Sequence, residues 1–256
     1  MSVELAVSLI SAVVALGSAG LSALLSAQAA KGRMELQAEI DRQQAARRKQ
    51  EDRQDLMSRV RDPVLWAAFD LQSRIFNIEA NGLLDVYLVH GSAEQRVYVQ
   101  RNTLFLFAQY LAWVEIVRRS VQFLDLGSKQ ENREVVDRFS KISSVLNVDG
   151  FPDSLFCIFR GDQRAIGEIM IDISVDRELT CIGYAEFCTR MDADPSFAEW
   201  FARLSIQIDQ LAAASQSHPR LVELQHSLID LINLLDPESV RFPDRHRSKL
   251  ETDVLY

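Results

Sequence analysis

The chain has 256 residues, 48% apolar and 25% charged, with only 10 Gly and 6 Pro; that balance builds a packed core and excludes a low-complexity chain. A formal net charge of −8 excludes broad non-specific nucleic-acid binding, so no nucleic-acid partner is expected. Cys157, Cys181 and Cys188 form no C-x-x-C pair and lie in apolar surroundings, so they read as reduced core thiols, with neither a disulfide framework nor a metal site.

Residues 5–30 carry no charged side chain. A helix over residues 5–25 spans roughly 31 Å, the thickness of a bilayer's hydrocarbon core, and lipid leaves its backbone groups no partner but one another. Residues 4–30 are therefore expected to form a transmembrane anchor, with the lipid bilayer as a partner. Ala27-Gln28-Ala29 imitates a signal-peptide cleavage site, but Glu4 stands where a basic n-region belongs and the apolar run is too long. Only Glu4 precedes the run, whereas Lys31, Arg33, Arg42, Arg47, Arg48 and Lys49 follow it. The positive-inside rule then places the protein in the cell membrane as a single-pass chain, N-terminus outside and the remainder cytoplasmic. At about 100° per residue, Ser8, Ser11, Ala15, Ser18, Ser22 and Ser26 share one narrow face, opposite a face of Leu, Val and Ile. Such a small-residue face lets another helix approach closely, so it is the expected surface for homo-oligomerisation.

Residues 31–61 are rich in Arg, Lys, Glu, Asp and Gln and lack Pro, which predicts a solvated helical stalk without a sustained heptad. Asp62-Pro63 reads as the N-cap and first position of a new helix ending at Asn81-Gly82. A short apolar piece over 83–89 follows. Ser92 and Gln95 then have the spacing of a capping box opening a long helix to Leu124. Within residues 104–117 of that helix, 12 of 14 side chains are apolar all round. Fourteen residues reach only about 21 Å, too short to cross a bilayer, so this is the buried centre of a bundle. Further helices are predicted at 130–147, 162–174, 178–191, 195–214 and 219–235. Only residues 155–159 (LFCIF) could form a strand or an irregular buried piece. The fold class is thus all-α: one N-terminal transmembrane helix (4–30), a helical juxtamembrane stalk (31–61), a globular multi-helix bundle domain (62–236) and a non-helical C-terminal tail (237–256).

No phosphate-binding glycine loop, nucleophile elbow or H-E-x-x-H helix occurs, so no cofactor and no catalytic residue is assigned, and the balance is against an enzyme. Leu221, Leu224, Leu228, Leu231 and Leu235 form a leucine seam on the last predicted helix; His226 and Asp230 share the face opposite it and read as an exposed pair. Two polar clusters are candidate ligand-binding sites. Arg160, Asp162, Arg164 and Glu168 surround one helix start, with Asp162 as N-cap, Arg164 and Glu168 as an i,i+4 pair, and the arginines as donors to an anion. Glu115 interrupts the apolar centre and needs a partner, the nearest being Arg119 one turn on. The function these features predict is a non-enzymatic interaction, scaffold or sensor module with a cytoplasmic protein partner, self-associating through its anchor. Two other readings follow from the same residues. One is a membrane-tethered enzyme or ligand sensor with a polar pocket near Arg160, Arg164 and Glu115. The other is a small oligomeric pore lined by the serine face of residues 8–26.

Overall fold

A computed structural model describes the backbone of residues 3–120, 129–173, 178–213 and 218–251; the side chains of residues 3–27, 29, 35, 49–59 and 129–132 lie outside that description. The chain divides into two compact units, Met1–Gln54 and Asp55–Tyr256. Helix α1 (Val3–Asn81) supplies the first unit and opens the second. The expected anchor and its face of Ser8, Ser11, Ala15, Ser18, Ser22 and Ser26 fall on side chains outside the described residues. Among the described residues, no helix is long and apolar enough to cross a membrane.

In the first unit every described side chain from residue 28 to 48 is exposed, Met34 and Leu36 included. Local bonds such as Gln37 Nε2 to Asp41 Oδ1 (2.9 Å) and Gln43 Nε2 to Glu39 Oε1 (3.2 Å) decorate this helix. Each such pair is worth only about 0.2–0.5 kcal/mol, so the segment is helical by propensity and solvation rather than by packing.

The second unit is built from the end of α1, a π-helical turn (Asp85–Val89), α2 (Ala93–Ser120), α3 (Lys129–Asn147), α4 (Arg160–Ile169), a hairpin of β1 (Ile171–Ile173) and β2 (Leu179–Cys181), α5 (Tyr184–Ala193), α6 (Pro195–Ala213), α7 (Pro219–Leu235) and a 3-10 turn (Asp244–His246). The helix start expected at Asp62-Pro63 is not a start: α1 runs through Pro63. Asp62 is instead paired with Arg241 (Oδ2 to Nη2, 2.7 Å). Val64, Leu65, Ala68, Leu71 and Ile75 make one buried stripe of α1, and the helix stops where Gly82 takes φ +63°. The capping box is formed as expected, Ser92 N–H donating to Gln95 Oε1 (2.8 Å) and Gln95 N–H to Ser92 Oγ (3.3 Å). Helix α2 is described to Ser120; the turn expected to carry it to Leu124 lies outside the described residues.

Helix α2 is the centre of the bundle. It buries Leu104, Phe105, Leu106, Phe107, Ala108, Tyr110, Leu111 and Ala112 in succession, each large side chain adding about 1.5–3 kcal/mol by leaving water. The π-helical turn, α4, α5 and α6 pack on it, while α3 packs on α7. Phe105, Phe187 and Phe201 link α2, α5 and α6 through edge contacts of 5.6 and 5.2 Å.

Helices expected over 162–174 and 178–191 are both shorter, because the antiparallel hairpin takes their facing ends, pairing Ile171 with Cys181 and Ile173 with Leu179. Ile171-Asp172-Ile173 alternates with period two and is rich in β-branched residues, which favours the strand once Leu179-Thr180-Cys181 is beside it. The fold is mostly helical with this one hairpin among the described residues. Residues 155–159 form no strand. Phe156 lies there at φ +54°, a left-handed conformation disfavoured for a bulky residue. It is held by its N–H bond to Gln207 Oε1 (3.0 Å) and by stacking on Phe107 at 4.9 Å.

The C-terminal segment packs on the bundle. Phe242 stacks on Phe69 (3.7 Å between ring centres) and meets Trp66 edge-on (4.7 Å). Asp236 accepts N–H bonds from Val240 (3.0 Å), Arg241 and Phe242 (both 3.1 Å) and forms a buried ion pair with Arg247. Burial opposes ionisation of Asp236, but those backbone donors and the Arg247 charge outweigh it and hold the carboxyl below the usual range.

Candidate functional site

Glu115 sits in the last third of α2 and faces α4. The close approach comes from Gly167: a Cβ there would lie 2.7 Å from the Leu111 carbonyl oxygen and 3.1 Å from Glu115 Cβ. With no side chain at that position, α4 settles against α2 and its polar face overhangs Glu115. The carboxylate itself is only 3% exposed. Arg118 Nε donates to Glu115 Oε2 (2.7 Å) and Arg118 Nη2 to Oε1 (2.5 Å). Arg119 Nε also donates to Oε1 (2.8 Å), and Arg164 Nε stands 3.9 Å from Oε2. Arg119 then bridges to Glu168 on α4 (Nη2 to Oε1, 3.0 Å).

Three guanidiniums and two carboxylates therefore close on one another across the α2–α4 contact. Burial alone would raise the Glu115 pKa, yet the hydrogen bonds and charges of Arg118 and Arg119 hold it below the usual carboxylate range. The bond to Glu115 in turn raises both arginines. A carboxylate so held is ionised at neutral pH with both oxygens occupied, which suits it to fixing helix register and not to proton transfer.

The residues expected around this helix start separate in space. Arg164 and Glu168 join Glu115 and Arg119; in place of their own i,i+4 pair, each reaches a partner on α2. Arg160 turns to α3, donating from Nη2 to Ser144 Oγ (3.1 Å). Asp162 is not the N-cap: the helix begins after Phe159. Its first donor, Arg160 N–H, is accepted by Asn147 Oδ1 (3.1 Å). Asp162 lies in the first turn, where its charge favours the helix N-terminus. His226 and Asp230 do not form an exposed pair either. His226 Nε2 meets the Leu250 carbonyl (2.8 Å), and Asp230 binds Lys249 Nζ (2.7 Å).

Other polar groups have no counterpart in the sequence reading. His218 and Glu79 form a buried contact at 3.1 Å, with His218 N–H also on Glu79 at 3.0 Å. Arg220 is fully buried and caps the end of α3 by donating to the carbonyls of Val145 (2.6 Å) and Val148 (2.8 Å), with its guanidinium 4.6 Å over Phe151. No local motif announces partners so distant in the chain. No family model matches the chain, and neither a curated protein nor a solved structure does. Among the described residues no group of three or more His, Cys, Asp or Glu is placed to hold a metal ion. Two clefts lie away from the Glu115 cluster, one of about 430 Å³ beside the π-helical turn and one of about 270 Å³ between α1 and the C-terminal segment.

Proposed function

We propose that the protein is a single-pass membrane protein with its N-terminus outside, whose cytoplasmic helical unit acts by binding and not by catalysis. The observation that carries this reading is the uncharged run of residues 5–30, preceded only by Glu4 and followed by Lys31, Arg33 and four further cations to Lys49. The saturated Glu115 cluster supports the second half of the proposal, since its carboxylates are engaged by arginines and offer no free general base. The face of Ser8, Ser11, Ala15, Ser18, Ser22 and Ser26 is the proposed contact between copies.

Cell fractionation tests the anchor. The full chain is expected in carbonate-washed membranes, and a chain lacking residues 1–30 in the soluble fraction. A fluorescent protein fused after Tyr256 should be bright, and alkaline phosphatase at the same position inactive. Release of the full chain by carbonate, or an active phosphatase fusion, overturns the proposal. The pair of substitutions Ser11→Leu and Ser18→Leu is expected to shift the solubilised protein towards monomer. An unchanged assembly removes self-association through this face and leaves the anchor standing.

A further inference from the structure

The cleft of about 430 Å³ lies where the end of α1, the π-helical turn and the first turns of α2 meet, and falls in the size range of small-molecule sites. Leu83, Tyr87, Tyr98 and Val99 give it apolar and aromatic walls, and Arg74 is the one cation among its described lining residues. Arg74 is half-buried; it donates to Asn102 Oδ1 and reaches the Tyr98 hydroxyl. No carboxylate pairs with it among the described residues. Burial without a counter-charge holds its guanidinium below the usual arginine range. Glu94 also lines the cleft, but it is exposed and is not among the groups that act on the Arg74 charge. It forms no ion pair with Arg74.

The aromatic walls are fixed from behind. Tyr98 meets Tyr184 edge-on at 6.4 Å, and Tyr184 meets Phe105 at 5.3 Å, so this wall is tied to the bundle centre. Tyr87 rides on the π-helical turn, whose ends are set by two glycines. Gly82 adopts φ +63°, and a Cβ on Gly91 would fall 2.2 Å from the Tyr87 carbonyl oxygen. A turn of this kind is rare and concentrates at functional sites. Tyr87 and Tyr98 nevertheless remain 40% and 54% exposed, an open pair of rings beside an unneutralised cation.

We infer that this cleft binds a small organic monocarboxylate with an aromatic or branched apolar body, its carboxylate on Arg74 and its body between Tyr87 and Tyr98. A neutral ligand leaves the half-buried charge without a counter-charge. A phosphate dianion brings more charge than one arginine meets. A single carboxylate matches both the charge and the planar fork of a guanidinium. The inference rests on no part of the membrane reading.

Phenylpropanoate and its neutral counterpart phenylpropanol test it by calorimetric titration of the full chain in lipid nanodiscs, with empty discs as the blank; a chain that does not enter discs is titrated in buffer. The acid is expected to bind at least about tenfold more tightly than the alcohol, the scale of one charge-assisted hydrogen bond. Arg74→Gln should abolish that preference, and Arg74→Lys should keep part of it. Tyr87→Ala, on an exposed turn, should weaken both probes by about fivefold through lost ring contact while leaving the helical circular dichroism unchanged; it keeps the test open should Arg74→Gln fail to fold. Failure of both probes to bind, equal binding of the two, a preference that survives Arg74→Gln, or acid binding indifferent to Tyr87→Ala each overturns the inference.

Discussion

Glu115 is flanked on α2 by Ile116 and Val117, both buried, and a lone carboxylate in that setting would not remain charged. Arg118 and Arg119 keep it charged by reaching inward with side chains that stay 49% and 39% exposed. Because those side chains are partly hydrated, the pair is worth less than a fully buried one. Glu115→Gln is expected to cost about 2 kcal/mol, read by urea unfolding. The sign with pH follows from the depressed carboxyls of Glu115 and Asp236. Their contribution is complete above unfolded-state values of about 4 and disappears as pH falls through the lower folded values. Stability of the wild-type chain should therefore decline from about pH 4 downwards, and Glu115→Gln with Asp236→Asn should flatten that limb. A double variant with the wild-type acid slope would show that neither carboxyl is held in this way. Glu115 could be picked out in the sequence because it breaks a run that is otherwise apolar, and Arg119 because it lies one turn on. Grouping Arg160 with it fails for a geometric reason: neighbours at a helix start diverge, and Arg160 leans to Ser144 on α3.

At the scale of elements, the α2–α4 contact depends on a missing side chain. Gly167→Ala gains up to about 1 kcal/mol in helix propensity but drives a methyl to 2.7 Å from the Leu111 carbonyl oxygen. Backbone does not give way as a flexible side chain does, so a net loss of about 1–3 kcal/mol is expected. Gly161 sits on the same helix with nothing within 4 Å of its virtual Cβ, and Gly161→Ala should be neutral or slightly stabilising. Thermal unfolding of the two variants separates these outcomes; equal behaviour would place the tight contact elsewhere. All-round apolarity revealed the central helix, and three- and four-residue leucine spacing revealed α7; both are buried along their length. Periodicity missed the hairpin because three-residue strands offer too short a pattern, and each depends on a partner supplied by the other.

Across the whole molecule, the beginning and the end of the second unit hold each other. Arg61 Nε donates to the Leu235 carbonyl over a separation of 174 residues (2.7 Å), and Arg241 reaches Asp62 over 179. Phe69 lies under Phe242, and Glu79 against His218. None of this was legible in the sequence: Arg241 and Phe242 look like any polar tail, and the buried Asp236–Arg247 pair is made of residues 11 apart with no periodicity between them. Chains truncated after Ser217, which lack α7 and all that follows, are expected to keep helical circular dichroism but lose resistance to limited proteolysis. Chains ending at Glu251 should retain it. Equal resistance in the two would mean that the closure adds little.

That closure also sets a schedule. Phe69 and Gln72 of α1 are made early in synthesis, whereas Phe242, which stacks on the first, and Gln225, which donates to the second, arrive roughly 150 or more residues later, at the usual pace of translation roughly ten to thirty seconds. For that interval this part of α1 waits without its C-terminal partners, downstream of the segment proposed to enter the bilayer. Slower translation of the intervening helices lengthens the time in which that part can pair wrongly.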